Sequence, residues 1–209
     1  PWPLERHGGS RHNPPAYRDP ASSRRPAAGH DTIRGFVADD PTRSSRFTYV
    51  LDWPQAEAGN ADAVRRFWLR EGAFAEEAAA AARVKQLLMH ALTPTGEVAG
   101  VCTTVATRSP RLGQPMYYWR AFIGKAWRST PLVMSLLKRS CVYLEEHART
   151  HDFPCVGILL ELENARFRDK GRLAVWGHPH FAYIGRSQRG FDLRVLYFRG
   201  ARLKPAAPG

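Results

Sequence analysis

The residues best suited to bind a ligand lie in a short basic turn near the middle of the chain. Lys125 and Arg128 bring positive charge to the turn, and Ser129 and Thr130 bring hydroxyl groups directly before Pro131. Because proline suits the first position of a helix and hydroxyl side chains are good caps, we expect a helix to begin here. The first amide N–H groups of a helix have no acceptor within it and attract anions. The turn therefore predicts a phosphate-binding site.

Two apolar strands and an amphipathic helix position this turn. Aromatic and β-branched residues at 116–123 predict a strand, apolar residues at helical spacing predict a helix over 131–147, and a second apolar strand follows at 155–161. Strand, helix and strand in this order form a βαβ unit. The same criteria predict a helix that Asn60 caps and a second helix, or the end of a broken one, from Glu76 to Arg83. They also predict further strands at 47–52, 85–92, 98–106, 181–185 and 192–198. We expect an α+β domain with a mostly antiparallel, twisted mixed sheet, one central βαβ crossover and helices on both faces.

The first part of the chain differs in composition from the rest. Residues 1–46 are dominated by Arg, Pro, Gly, Ser and His, and aliphatic residues are almost absent before Ile33. Such a segment cannot bury enough apolar surface to offset the entropy lost on ordering. We predict a disordered tail over 1–46, a folded domain over 47–204 and a short C-terminal tail over 205–209.

The charge of the chain is strongly positive and unevenly distributed. The formal net charge is +12, and the excess lies mainly in the half from residue 101 onwards. A basic half suits a phosphorylated cofactor or a nucleic acid, although a generally arginine-rich composition would give the same pattern.

The cysteines favour a reducing compartment. Cys102, Cys141 and Cys155 are widely spaced, and an odd number of thiols without a signal sequence predicts reduced side chains in a cytoplasmic protein. Because the sequence contains no continuous apolar run of about 18 residues, we expect no membrane span.

The order of the predicted elements, with a phosphate-type turn after the fourth strand, resembles the GNAT superfamily of acetyl-CoA-dependent N-acetyltransferases over residues 47–204. In that family the turn carries Arg or Gln, two residues, Gly, one residue, and Gly or Ala. The matching residues here are Arg128, Pro131 and Val133. Pro131 replaces the usual glycine, which removes one N–H donor, and Val133 replaces the usual small residue.

The resemblance implies that acetyl-CoA is the co-substrate and indicates which residues would bind it. The pyrophosphate would lie against Arg128 and the main chain of the turn, the pantetheine arm against the end of the fourth strand, and Asn164 would lie beside the cofactor. The implied set is Phe122, Ile123, Gly124, Arg128, Ser129, Thr130, Leu132, Val133 and Asn164. Of these, the amides of Ser129, Thr130, Leu132 and Val133 are expected to be available to the phosphates.

The resemblance also implies a catalytic base and a catalytic acid. Glu161 ends the fifth strand, where the family often has its base, but it could equally be a solvated carboxylate or pair with Arg166 or Arg168. The tyrosine that the family uses as an acid is missing from the segment after this strand. Tyr183 is the nearest substitute, although a tyrosine in a strand is more often simply half-buried.

Other chemistry has weaker support in the sequence. His178 and His180 could bind a metal, but suitably spaced further ligands are missing, and the phosphate loop of P-loop nucleotidases is absent. The aromatic residues of 117–119 could stack on nucleic-acid bases, but they suit a strand core better.

Three functions follow from the sequence. The first is transfer of an acetyl group from acetyl-CoA to an amine of unknown identity. The second is a GNAT-like binding or scaffold protein without catalysis, and the third, ranked last, is a basic nucleic-acid-binding protein. The C-terminal hairpin could also join two copies of the chain in a homodimer.

Overall fold

A computed structural model describes residues 46–163 and 173–205. In this part of the chain the helices are α1 (Ala58–Glu71), α2 (Glu77–Val84) and α3 (Leu132–Thr150), with a short 3-10 helix at Lys125–Trp127. The strands are β1 (Thr48–Leu51), β2 (Leu87–Leu92), β3 (Val98–Arg108), β4 (Pro115–Ile123), β5 (Gly157–Leu162), β6 (Ala182–Arg186) and β7 (Asp192–Tyr197).

The strands form one mixed sheet in the order β1-β2-β3-β4-β5-β7-β6. Neighbouring strands are antiparallel except β4 and β5, which α3 connects as a parallel crossover. The predicted mixed sheet with one βαβ unit is therefore confirmed. The predicted N-terminal tail and the segment 164–172 lie outside the described residues.

Helix α3 covers one face of the sheet and packs by the stripe that the sequence indicates. Leu137, Cys141, Leu144 and Ala148 recur at helical spacing and are buried in the main core. A polar contact fixes the helix to the centre of the sheet, because the buried Ser140 hydroxyl accepts a hydrogen bond at 2.9 Å from the Trp119 indole N–H.

Helices α1 and α2 cover the opposite face. Val64, Phe67 and Trp68 of α1 form its apolar stripe and are buried against β2 and β3. The prediction that Asn60 caps this helix is wrong, because α1 begins at Ala58. The Asn60 side chain instead donates to the Asp52 carboxylate at 3.1 Å.

Asp52 also belongs to a buried polar contact that positions α1. Its second carboxylate oxygen lies 2.7 Å from His90 Nδ1, and both side chains are almost fully buried. Asp52 thus links Asn60, in the first turn of α1, to His90 of the strand β2. In the described part of the chain, no helix is long and apolar enough to span a membrane.

Candidate active site

The parallel strands β4 and β5 separate halfway along their length. They pair at only three positions, where Tyr117–Trp119 lie beside Ile158–Leu160. Beyond Trp119, β4 continues along β3 to Ile123, while β5 continues along β7 to Leu162. The sheet therefore opens between the two strands.

A groove of about 1100 Å³ lies over this opening. The start of α3 lines one side through Val133, Met134 and Leu137, and α2 contributes Arg83 on the other side. The separated strands form its floor. The groove is thus reached by both the helix start that could bind phosphate and the strand ends that could contact a reacting group.

The edge of β4 presents unpaired main-chain groups to this opening. The Gly124 amide donates to the Ala99 carbonyl of the neighbouring β3 segment at 2.9 Å, and main-chain groups alternate in direction along a strand. The amide groups of Ala121 and Ile123 consequently point away from β3, toward the gap. Phe122 pairs with β3 through its main chain, and the Gly124 amide is bonded to Ala99. Ala121 therefore joins Ile123 as a candidate main-chain contact, while Phe122, which lines the groove, and Gly124 stay predicted contacts.

In the turn before α3, some of the main-chain amide donors are already hydrogen-bonded within the turn. The Thr130 amide donates to the Trp127 carbonyl at 3.1 Å, and the Leu132 amide lies 3.4 Å from Thr130 Oγ1. The expectation that both amides are available is wrong, because the 3-10 turn and the threonine hydroxyl cap them. Val133 and Met134 lie in the first turn of α3, where amides have no acceptor within the helix. Met134 therefore joins Val133 as a candidate phosphate contact that the sequence pattern did not indicate.

Pro131 fits the turn without disturbing the helix. It is the residue before the first helical position, with φ −73°, and its carbonyl accepts the Ser135 amide at 3.0 Å. Its missing N–H removes one donor at a position where donors have no helical partner in any case. Ser129, the next donor in the turn, is exposed.

Arg128 lies at the mouth of the groove. Its Nε donates to the Ile123 carbonyl at 3.1 Å, and its guanidinium carbon is 5.6 Å from the centre of the Phe122 ring. These contacts fix the stem of the side chain and leave further N–H donors of the guanidinium for an anion. The position agrees with the predicted role of Arg128, which stays a prediction.

Glu161 lies where β5 leaves β4, and its side chain is only 7 % exposed. Oε2 accepts hydrogen bonds from the Tyr118 hydroxyl at 2.5 Å and from Arg189 Nη1 at 3.2 Å. Oε1 is buried without a hydrogen-bond partner among the described residues. The expectation of a solvated carboxylate is therefore wrong, and the alternative partners Arg166 and Arg168 lie outside the described residues.

The surroundings keep Glu161 ionised at neutral pH. Burial is the largest single influence on its pKa and raises it, but the nearby Ser187 hydroxyl, the hydrogen bond from Tyr118 and the charges of Arg189 and Arg120 together lower it by more. The net pKa is below the usual value. Burial and the neighbouring Glu161 carboxylate raise the pKa of Tyr118 to about 12, so its hydroxyl remains a donor.

A second carboxylate, Glu163, lies beside this pair. Its Oε1 accepts from Arg120 Nη2 and from Arg189 Nη1, both at 2.8 Å. Arg120 and Tyr118 belong to the same face of β4, because side chains two residues apart in a strand share a face. That alternation is the sequence signal that could have placed Tyr118 at the site.

The structure does not bring Tyr183 to this site. Tyr183 is on β6, which β5 and β7 separate from the opening, and it is 44 % exposed beside Arg194. Its prediction as the acid conflicts with this placement. Asn164 lies outside the described residues.

The other sequence candidates have structural explanations. Tyr117 and Trp119 are buried in the main core, as a strand core requires. His178 and His180 are near each other, but no group of three or more metal-binding side chains occurs among the described residues.

Comparisons with known proteins agree with the topology. No protein-family model and no curated protein sequence matches the chain. Among solved structures, it is similar to the ribosomal-protein-S5-alanine acetyltransferase from Vibrio fischeri (10 % identity, TM-score 0.51, covering 78 % of this chain and 98 % of that one). It is also similar to an acetyltransferase of the GNAT family from Streptococcus pneumoniae (16 % identity, TM-score 0.49, covering 73 % of this chain and 99 % of that one). A third similar structure is the AtaT toxin mutant bound to the C-terminus of the antitoxin AtaR and acetyl-CoA (16 % identity, TM-score 0.48, covering 73 % of this chain and 93 % of that one).

Proposed function

We propose that this chain, which has the fold of the GNAT acetyltransferases, transfers an acetyl group from acetyl-CoA to an amine. The single observation that best supports the proposal is the carboxylate of Glu161. It is buried, it lies at the opening between β4 and β5, and its Oε1 has no hydrogen-bond partner among the described residues. A buried acceptor without a donor is costly unless a ligand supplies the hydrogen.

The residues around the groove fit a coenzyme A thioester. The first-turn amides of Val133 and Met134, with Arg128, suit a pyrophosphate. The amide N–H groups of Ala121 and Ile123, which point toward the gap, suit the carbonyl groups of a pantetheine arm, whereas the Ile123 carbonyl is already bonded to Arg128. The donor set is smaller than the sequence indicates, because Thr130 and Leu132 are already capped. In this arrangement Ser129 and Asn164 remain predicted contacts.

Glu161 would act on the acceptor amine. A bound acetyl thioester supplies a carbonyl carbon, to which the amine nitrogen bonds as the carbon–sulfur bond breaks and the sulfur leaves with the electron pair. Glu161 is ionised at neutral pH, so its carboxylate can hold the ammonium group. Its lowered pKa makes it a weak base, so the proton that it accepts passes on to water as the amine attacks. Tyr118 and Arg189 keep the carboxylate in place through its other oxygen. The described groove lining contains no tyrosine, so we assign protonation of the thiolate to water.

The test is release of free thiol from acetyl-CoA with a panel of primary amines. We expect turnover that depends on both substrates and that requires Glu161. Turnover equal to that of a mock purification, for every amine, would overturn the proposal.

A binding role without catalysis is the second candidate. It is favoured by the capped amides of Thr130 and Leu132 and by Pro131 in place of glycine. This role predicts that coenzyme A binds while no amine releases thiol. Three points remain predictions from the sequence: that the chain forms a homodimer, that it is located in the cytoplasm, and that a nucleic acid is an alternative ligand.

A further inference from the structure

The side of the groove below α1 and α2 contains more positive than negative charge. Arg83 from α2 and Arg120 from β4 both line the groove, and Arg189, in the turn between β6 and β7, bonds to the groove carboxylate Glu161. The carboxylates that meet them are Glu161 and Glu163. Among the residues that the structure describes here, three guanidinium groups therefore surround two carboxylates.

Arg83 is the guanidinium that lacks a carboxylate. Its Nη1 donates to the amide oxygen of Gln86 at 3.2 Å, and no carboxylate of the described residues lies within ion-pair distance of it. Its surroundings disfavour its charge, because burial and then the nearby Arg120 lower its pKa. Arg120 is paired with a carboxylate and Arg83 is not. Two neighbouring guanidinium groups that share a single carboxylate form a suitable site for an anion.

Arg120 also has donors to spare. One of its five N–H groups bonds to Glu163, and its side chain is 35 % exposed toward the groove. An anionic group could therefore bind Arg83 and Arg120 together. The buried, unpartnered Oε1 of Glu161 lies in the same groove and offers a separate position for an amine.

We propose that the acceptor is an amine that also carries a carboxylate or phosphate group. The anionic group binds Arg83 and Arg120, and the amine faces Glu161. Once the amine proton has passed by way of Glu161 to water, the single negative charge of an acceptor carboxylate balances the net charge of +1 that the three guanidinium groups and two carboxylates carry. Polyamines, which would add further positive charge, are excluded as good substrates. This inference rests on the proposed acetyl transfer.

The test compares kcat/KM for matched pairs of amines, measured with the whole chain of 209 residues. The pairs are an α-amino acid and its carboxamide, and phosphoethanolamine and ethanolamine, with a diamine as a further arm. We expect kcat/KM to favour the anionic member of at least one pair by tenfold or more, and the two pairs distinguish carboxylate from phosphate. The diamine should be the poorest acceptor.

The variant Arg83→Gln should lower kcat/KM by about 10- to 100-fold for the anionic amine, since a charge-assisted hydrogen bond is lost. It should leave the neutral partner within about threefold. Arg202→Gln is the matched control, because it removes the same charge from an exposed position outside the groove. If Arg83→Gln unfolds, Arg83→Lys keeps the charge without the planar fork and should still reduce the preference.

The outcomes separate the two proposals. Equal turnover of anionic and neutral amines, or a preference that survives in Arg83→Gln, overturns the acceptor assignment and leaves acetyl transfer standing. Absence of turnover with every amine overturns both.

Discussion

The variant Glu161→Gln tests the catalytic role of a groove carboxylate that is nearly buried and that has, among the described residues, one oxygen without a hydrogen-bond partner. Glutamine keeps the size of the side chain and can still accept the Tyr118 hydrogen bond through its carbonyl oxygen. Its NH₂ group then occupies the position of Oε1, where it can neither take a proton nor hold an ammonium group. The change therefore removes proton acceptance while it preserves the packing.

The size of the effect follows from the surroundings of this carboxylate. General base catalysis contributes about 10²- to 10⁴-fold, and a side chain that is 7 % exposed leaves little room for water to replace it. We expect kcat to fall by about 1000-fold, or about 4 kcal/mol. Arg189 is largely exposed, so the loss of its ion pair with Glu161 should cost little stability and the fold should survive.

The assay is thiol release from acetyl-CoA with the amine that the unmodified protein uses best. The deficit should narrow as the pH rises toward the pKa of the amine, because more of the acceptor is then already deprotonated. Glu163→Gln is the matched control, since Glu163 is more exposed and its Oε1 is occupied by two arginines, and it should lose less than tenfold. A folded Glu161→Gln variant with more than a tenth of the original kcat would refute the reasoning.

Four further substitutions test the site and the elements that support it. Gly157→Ala places a Cβ against a backbone carbonyl oxygen of β7, so it should lower the free energy of unfolding by roughly 3 kcal/mol in urea titrations. Gly59→Ala lies at a helical position with open space around it, so it should raise the free energy of unfolding by about 0.5 to 1 kcal/mol. Equal effects of the two would contradict the packing. Arg128→Ala should weaken coenzyme A binding by about 10-fold or more in calorimetry, and unchanged affinity would remove Arg128 from the cofactor site. Tyr118→Phe removes a hydrogen bond that stabilises ionised Glu161, so the pKa of Glu161 should rise, and an NMR titration that shows it unchanged or lowered would be inconsistent with the geometry.

Local patterns were sufficient to predict most of the sheet and α3. The stripe through Leu137, Cys141 and Leu144 sets the period and the buried face of α3, and its start was predicted within one residue of Leu132. The cap of α1 was not predictable in the same way, because Asn60 bonds to Asp52 across the start of the helix. A residue type favoured at caps does not reveal which partner its side chain will find.

The candidate site depended on contacts that the sequence does not display. Tyr118 and Glu161 are 43 residues apart, and only the parallel register of β4 and β5 brings them together. Tyr183 was misplaced because the order of the last strands puts β7 between β5 and β6. The Thr130 amide was misjudged because the 3-10 turn, which no sequence pattern indicated, supplies its acceptor.

Coenzyme A titration followed by backbone amide NMR tests the central claim most directly. The account predicts that the amides of Val133 and Met134 at the start of α3, and of Ala121 and Ile123 on the open edge of β4, shift together with one dissociation constant. If none of these four amides shifts at millimolar coenzyme A, the groove between β4 and β5 is not a cofactor site and the proposed acetyl transfer is wrong.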